Sequence, residues 1–214
     1  MEKTALLIKS TIIGALKNDP TKDQLHFIQK ITDFIRSENK KELFVLKGYA
    51  GTGKTTVISA VIQSLGKFGM KSVMLAPTGR AAKVMTLFSK KPASTIHRKI
   101  YQRTLSKDGS ASFSLMANLH TNTLFFVDEA SMISTYGGIS DGGSNYRNLL
   151  EDLISYVYSG VNCKLILIGD HMQLPPVGMD ESPALDIEYL KYEYPECFIE
   201  HCSFTQVVRQ AQES

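Results

Sequence analysis

Four apolar runs set the rhythm of this chain. They are Leu43 to Leu46 (LFVL), residues 72–77 (SVMLAP), Thr123 to Val127 (TLFFV) and Cys163 to Gly169 (CKLILIG). None alternates polar with apolar positions, so each reads as a strand buried on both faces. Helical spacing fills the intervals. In TKDQLHFIQKITDFIRS, Leu25, Ile28, Ile31 and Ile35 recur on one face. Thr21 is a good N-cap, and Gln24 three residues later completes a capping box. VISAVIQSL follows the first run, Ala81 to Phe88 the second, and Thr95 to Tyr101 starts another helix. A further helix is expected from a cap at Asn145 to about Tyr158, and a short one over residues 4–17, ahead of the breaker Asn18-Asp19-Pro20. Residues 102–120 are polar, with Lys107-Asp108-Gly109-Ser110 as a turn between two short runs, which predicts a hairpin. The glycine-rich stretch 134–145 is expected to be a mobile loop, and Phe198 to Phe204 a last short strand.

Buried strands separated by helices predict an α/β fold: a mostly parallel sheet with helices on both faces and a small hairpin insertion at about 101–121. Right-handed crossovers then bring every strand's C-terminal end to one edge, where a ligand binds. The residues at those ends become the candidates for chemistry.

The first of them is the most specific. The run LFVL leads into GYAGTGKTT, with Gly48, four intervening residues, Gly53, Lys54 and Thr55. This is the phosphate-loop spacing in its required strand–loop–helix setting. Gly48, Gly51 and Gly53 let the backbone approach phosphates, and the N–H groups of Ala50 to Thr56 can cradle them at a helix N-terminus. Lys54 offers a point charge to the outer phosphates, and the Thr55 hydroxyl a Mg²⁺ ligand.

Three more strand ends carry polar groups. Asp128 and Glu129 follow TLFFV; one acid there can hold Mg²⁺ and its neighbour can polarise an attacking water. Gln173, in GDHMQLPP, has an amide that both donates and accepts, suited to a γ-phosphate or its water. Thr78, with Arg80 and Lys83, and Thr95, with His97 and Arg98, are two hydroxyl-plus-cation clusters. Each suits a phosphate backbone, and each equally suits a helix cap with a solvated cation.

Composition narrows the classes. The chain has 214 residues, 43% hydrophobic and 21% charged, as expected of an ordinary globular core. A net charge of +3 gives no global basic field, so a nucleic-acid surface must be local. Cys163, Cys197 and Cys202 form no CxxC pair, which speaks against a metal site or disulfide framework and for a reducing, cytoplasmic setting. Cys163 reads as inert core. No apolar stretch is long enough for a membrane span, and the N-terminus lacks a signal-peptide pattern.

In this order, the motifs resemble those of superfamily 1 DNA helicases of the 5′-to-3′ group, the RecD-like and Dda-type enzymes. GYAGTGKTT looks like helicase motif I, APTGRAAKVM like motif Ia, STIHR like the next DNA-contact motif, VDEASMI like motif II, LIGDHMQLPPVG like motif III and VVRQ like motif IV. The resemblance covers about residues 20–210 and implies an ATP-dependent, Mg²⁺-requiring motor on single-stranded DNA in replication or repair. By it, Gln24 reads the adenine edge, Lys54 and Thr55 hold phosphates and Mg²⁺, Asp128 holds Mg²⁺, Glu129 activates water, Gln173 couples the γ-phosphate to DNA and Arg209 is an arginine finger. Pro77, Thr78, Arg80, Thr95 and His97 would lie along the DNA strand. The hairpin falls where the family inserts its strand-separating pin. Residues 1–19 read as a helical lead-in and 20–214 as the first of two RecA-like domains, since the chain ends four residues after Gln210. The expectation is a chain that alone binds nucleotide weakly and hydrolyses it slowly. Two other readings fit the motifs less fully: a phosphate-loop ATPase that moves no DNA, and a nucleotide-binding interaction module without turnover.

Overall fold

The computed structural model describes residues 2–105, 111–135, 148–170 and, apart from 171, 174, 177 and 180, 172–208. The chain runs α1 (Glu2–Gly14), α2 (Lys22–Arg36), β1 (Glu42–Gly48), α3 (Lys54–Ser64), β2 (Lys71–Ala76), α4 (Gly79–Ser89), β3 (Ala93–Thr95) and α5 (Ile96–Ile100). Then come β4 (Tyr101–Leu105), β5 (Ala111–Leu115), β6 (Thr121–Val127), α6 (Leu149–Tyr158), β7 (Val161–Gly169), α7 (Ile187–Glu193) and β8 (Phe198–Phe204). Six strands form one sheet in the order β3-β2-β6-β7-β1-β8. Every pairing in it is parallel. The antiparallel ribbon β4-β5 stands apart, as the hairpin spacing predicts, although its turn, 106–110, lies outside the described residues.

The apolar runs are buried on both faces because successive side chains point to opposite sides of a strand. Leu43 and Val45 of β1 join Phe125 and Val127 of β6 and Leu165 and Leu167 of β7 in one layer, covered by α5, α6 and α7. Phe44 and Leu46 join Leu124, Phe126, Ile166 and Ile168 in the other, covered by α1, α2, α3 and α4. Phe27 and Phe34 of α2 pack edge-on against Phe44, with ring centroids 5.4 and 5.5 Å away. Truncating Phe44 to alanine would open a cavity at this junction and cost about 3–5 kcal/mol. Ile8 and Ile12 carry α1 into the same layer.

Several expectations change. The buried face of α2 is Gln24, Phe27, Ile28, Ile31, Thr32 and Phe34; Leu25 points to solvent and Ile35 only packs at the margin. The two phenylalanines turn the stripe, because the larger rings fill the space above β1. The cap of α6 is Asn148, not Asn145: its side chain accepts the Glu151 N–H at 3.1 Å. Asn145 and most of the glycine-rich stretch, 136–147, lie outside the described residues. Two elements had no sequence signal, the three-residue edge strand β3 and the short helix α7, capped by Asp186. Cys163 is core, 2% exposed.

Candidate phosphate-binding edge

Register places the strand tips side by side. Lys47 of β1 stands opposite Gly169 of β7, Val127 of β6 opposite Leu167, Leu75 of β2 opposite Val127, and Ala76 opposite Thr95 of β3. The loops that follow therefore line one edge, in the order phosphate loop, Asp170–Gln173, Asp128–Glu129, Pro77–Thr78, Thr95–His97.

The phosphate loop has the backbone its glycines predict. Gly51 and Gly53 have φ of 77° and 83°, left-handed values that side chains rarely adopt. At Gly48 a Cβ would stand 2.8 Å from Phe204 Cβ, so β8 can pair closely only with a glycine there. Lys54 opens α3 and curls back on its own loop, donating to the carbonyl oxygens of Gly48 and Tyr49. Burial pushes its ammonium below the usual lysine value, and the carboxylates of Asp170, Asp128 and Glu129 pull it back up. Three acids from two neighbouring strand tips thus act on the one loop lysine. Thr52 spans the loop, its hydroxyl donating to Tyr49 O at 2.7 Å. Thr55 and Thr56 face solvent at the start of α3, and Ala50 is exposed beside Gly51.

Asp128 is the most perturbed acid on the edge. Burial pushes its carboxyl up to about 6; the Glu129 N–H, which it accepts at 3.0 Å, and Lys54 oppose that rise. Its own N–H donates to Leu75 O at 3.0 Å and so fixes the tip of β6 against β2. Glu129 has φ of 54°, a strained left-handed turn for a residue with a side chain. Gln173 joins the same place: its Oε1 accepts from the buried Ser131 hydroxyl at 3.2 Å, which ties the loop after β7 to the turn after β6.

Gln24 reaches the loop from behind. Its Oε1 accepts the Thr21 N–H at 3.0 Å, closing the capping box, and its Nε2 donates to Gly53 O at 3.4 Å. One amide proton is left for an incoming group. Arg209 lies outside the described residues; the described chain ends at Val208, whose N–H donates to Gly51 O at 2.9 Å.

The other end of the edge looks different. The Thr78 hydroxyl accepts the Ala81 N–H and the Thr95 hydroxyl the Arg98 N–H, each at 3.2 Å, so both are working helix caps. Pro77 is half-buried, Arg80 and His97 face solvent, and the His97 ring lies 5.8 Å from that of Tyr101. Two cavities lie elsewhere, the larger (≈ 530 Å³) running along α6 and lined by Lys41, Glu151, Tyr158 and Glu196.

Three residues on the edge escaped sequence reasoning. Asp170 is 7% exposed, acts on Lys54 and accepts the Met172 N–H. Ser131 bridges to Gln173. Asp23, beside Gln24, binds the chain beyond β8. An acid directly after the glycine of an apolar strand was a usable signal for Asp170. The other two depend on partners distant in sequence.

A parallel sheet with a phosphate loop after its first strand, and acids at the neighbouring tips, defines a phosphate-loop α/β protein. Residues 32–179 match the AAA domain family model, and the chain belongs to that family. It is 29% identical over 175 residues to the ATP-dependent DNA helicase Dda of Enterobacteria phage T4, covering 80% of this chain and 36% of Dda. It is 32% identical over 139 residues to the ATP-dependent RecD2 DNA helicase of Deinococcus radiodurans, covering 63% of this chain and 16% of that protein. The chain thus spans only a minor part of these relatives. Its fold is similar to that of a Bacteroides Pif1 helicase solved with ADP-AlF3 and single-stranded DNA, with a TM-score of 0.52 at 20% identity, over 90% of this chain and 43% of the other. No described helix is long and apolar enough to cross a membrane.

Proposed function

We propose that this chain is the ATP-binding first motor domain of a 5′-to-3′ superfamily 1 DNA helicase, acting on single-stranded DNA with a second RecA-like domain. The observation that carries the reading is the placing of the phosphate loop, Asp170 and Asp128–Glu129 at the adjacent tips of β1, β7 and β6, where the three carboxylates pull on the Lys54 ammonium. The helicase names of the related proteins support the same reading.

In this account Lys54 leaves the carbonyls of Gly48 and Tyr49 for the β- and γ-phosphates, while the N–H groups of Ala50 to Thr56 wrap them. Gln24 offers its free amide proton to the base. Glu129 takes the proton of a water that attacks the γ-phosphorus, as the bond to the β–γ bridging oxygen breaks. Gln173 orients that water, and Arg209 neutralises charge on the transferred group. Thr55 and Asp128 are a hydroxyl and a carboxylate, a donor pair that suits Mg²⁺ bound chiefly through substrate phosphates. Mg²⁺ would neutralise phosphate charge there. Pro77, Thr78, Arg80, Thr95 and His97 would contact the DNA strand.

A second reading, an ATPase or nucleotide-binding module that moves no DNA, draws on the capping bonds of Thr78 and Thr95. The deciding experiment is ATP hydrolysis by the full-length protein with and without oligo(dT), beside the Lys54→Ala variant. The helicase reading expects stimulation by the oligonucleotide that Lys54→Ala abolishes. Hydrolysis indifferent to DNA would favour the second reading, and no ATP binding at all would exclude both.

A further inference from the structure

Helix α2 meets strand β8 along a stripe of Asp23, Phe27 and Lys30, spaced i, i+4, i+7 and therefore on one face. Lys30 Nζ donates to Glu200 Oε1 at 2.7 Å and to His201 O at 2.9 Å, midway along the strand. The Phe27 ring meets Phe204 edge-on, with centroids 5.9 Å apart. At the strand's exit one oxygen of Asp23 accepts three bonds: from the Thr205 N–H at 2.7 Å, the Gln206 N–H at 3.0 Å and the Thr205 hydroxyl at 3.3 Å. Burial pushes the Asp23 carboxyl up, but these bonds outweigh it and hold the group below the usual aspartate value.

Beyond Gln206 the chain crosses the phosphate loop. The Val208 N–H donates to Gly51 O at 2.9 Å, and a Cβ on Gly53 would stand 3.2 Å from Val208 Cγ2. From the other side, Gln24, the residue after Asp23, donates to Gly53 O. The first turn of α2 therefore grips both the phosphate loop and the strap lying over it.

We propose that Asp23 is a positioning residue for ATP hydrolysis, a latch that seats segment 205–208 on the phosphate loop and so holds the backbone of that loop in place. The proposal rests on the ATPase reading above. Asp23 touches no nucleotide; it acts through the strap. Lys30 ties the same helix to the same strand without reaching the strap, so the two residues separate latching from simple docking.

The test compares Asp23→Asn, which keeps the shape and removes the charge, with Lys30→Ala in the full-length protein. Amide hydrogen exchange at Thr205, Gln206 and Val208 is measured beside kcat and KM for ATP. Asp23→Asn is expected to speed exchange at these amides roughly tenfold, the loss of a charge-assisted bond. It should also lower kcat about tenfold while KM moves less than about threefold, since a shifted phosphate loop misplaces the γ-phosphate for attack more than it loosens the hold on the rest of the nucleotide. Lys30→Ala should leave both readings near the wild type. The proposal is overturned if Asp23→Asn leaves exchange at 205 and 206 unchanged, or if both variants lower kcat alike. Wild-type hydrolysis with unaltered strap exchange would sink the latch alone. Faster exchange in a protein that hydrolyses no ATP would remove the catalytic role together with the ATPase reading.

Discussion

Two lysines near the central strands have similar surroundings and opposite meanings. Lys164 of β7 is 1% exposed, donates to Glu42 Oε2 at 2.6 Å and to the carbonyls of Phe34 and Ser37, and lies 5.0 Å from the Phe34 ring centroid. Lys54 also donates to two backbone carbonyls, and burial pushes both ammonium groups below the usual lysine value. They differ in closure. Lys164 sits near the N-terminal ends of the strands with its charge matched by one carboxylate in contact, and it pins the end of α2 to the sheet. Lys54 sits at the C-terminal edge, where three acids act on it through space without a contact ion pair among the described residues. A perturbed lysine is therefore no sign of function by itself. The sign is a charge whose partners are near but unspent, at the edge where a ligand can enter.

Breaking each lysine in turn should separate the roles. Lys164→Ala leaves Glu42 buried and unpaired, and should cost about 3–5 kcal/mol of unfolding free energy in denaturant titrations. Lys54→Ala should leave that titration within about 0.5 kcal/mol of wild type, the usual range for a change that breaks no buried pair. It should instead weaken ATP binding on the order of a hundredfold, measured by calorimetry. If the two variants exchanged these signatures, the distinction between the lysines would fail.

Acid sharpens the contrast. Asp128 titrates at about 6 in the folded chain, above the ordinary aspartate value. The folded protein then holds a proton that the unfolded chain has released, so ionising Asp128 costs stability above about pH 6, and that cost fades as pH falls. If Asp128 holds Mg²⁺ as proposed, the same proton competes with the metal. Mg²⁺-ATP affinity should drop up to about tenfold per pH unit below about 6, while Asp128→Asn flattens the profile. A wild-type profile that stays flat from pH 7 to pH 5 would contradict this.

The smallest effects belong to the other end of the edge. Thr78→Ala and Thr95→Ala each remove a cap and should cost about 1 kcal/mol of stability. If the hydroxyls also meet DNA, single-stranded DNA affinity should fall in the folded proteins, and serine should restore both. A loss of stability with unchanged DNA affinity would leave them as caps alone.

Legibility follows the range of the interactions involved. The phosphate loop, the capping box and the four apolar strands are local patterns, so GYAGTGKTT, Thr21 with Gln24, and TLFFV could be placed from sequence. Strand β3 was hidden because its three residues, Ala93 to Thr95, are all half-buried and make no apolar run. The face of α2 was misjudged because Phe27 and Phe34 choose it by fitting Phe44, a contact that periodicity alone does not contain. Asp23 was invisible for the plainest reason: its partner Thr205 is 182 residues away. Thr78 and Thr95 remained open between two uses, and the structure supplies the capping one.

The central claim is that separate strand tips serve one nucleotide. A double-mutant cycle on Mg²⁺-ATP binding, using Lys54→Ala and Asp128→Asn singly and together, tests it most directly. The account predicts strong non-additivity, with a coupling of about 1–3 kcal/mol, because both side chains act on the same phosphates. Losses that simply add would mean that Lys54 and Asp128 do not share a ligand.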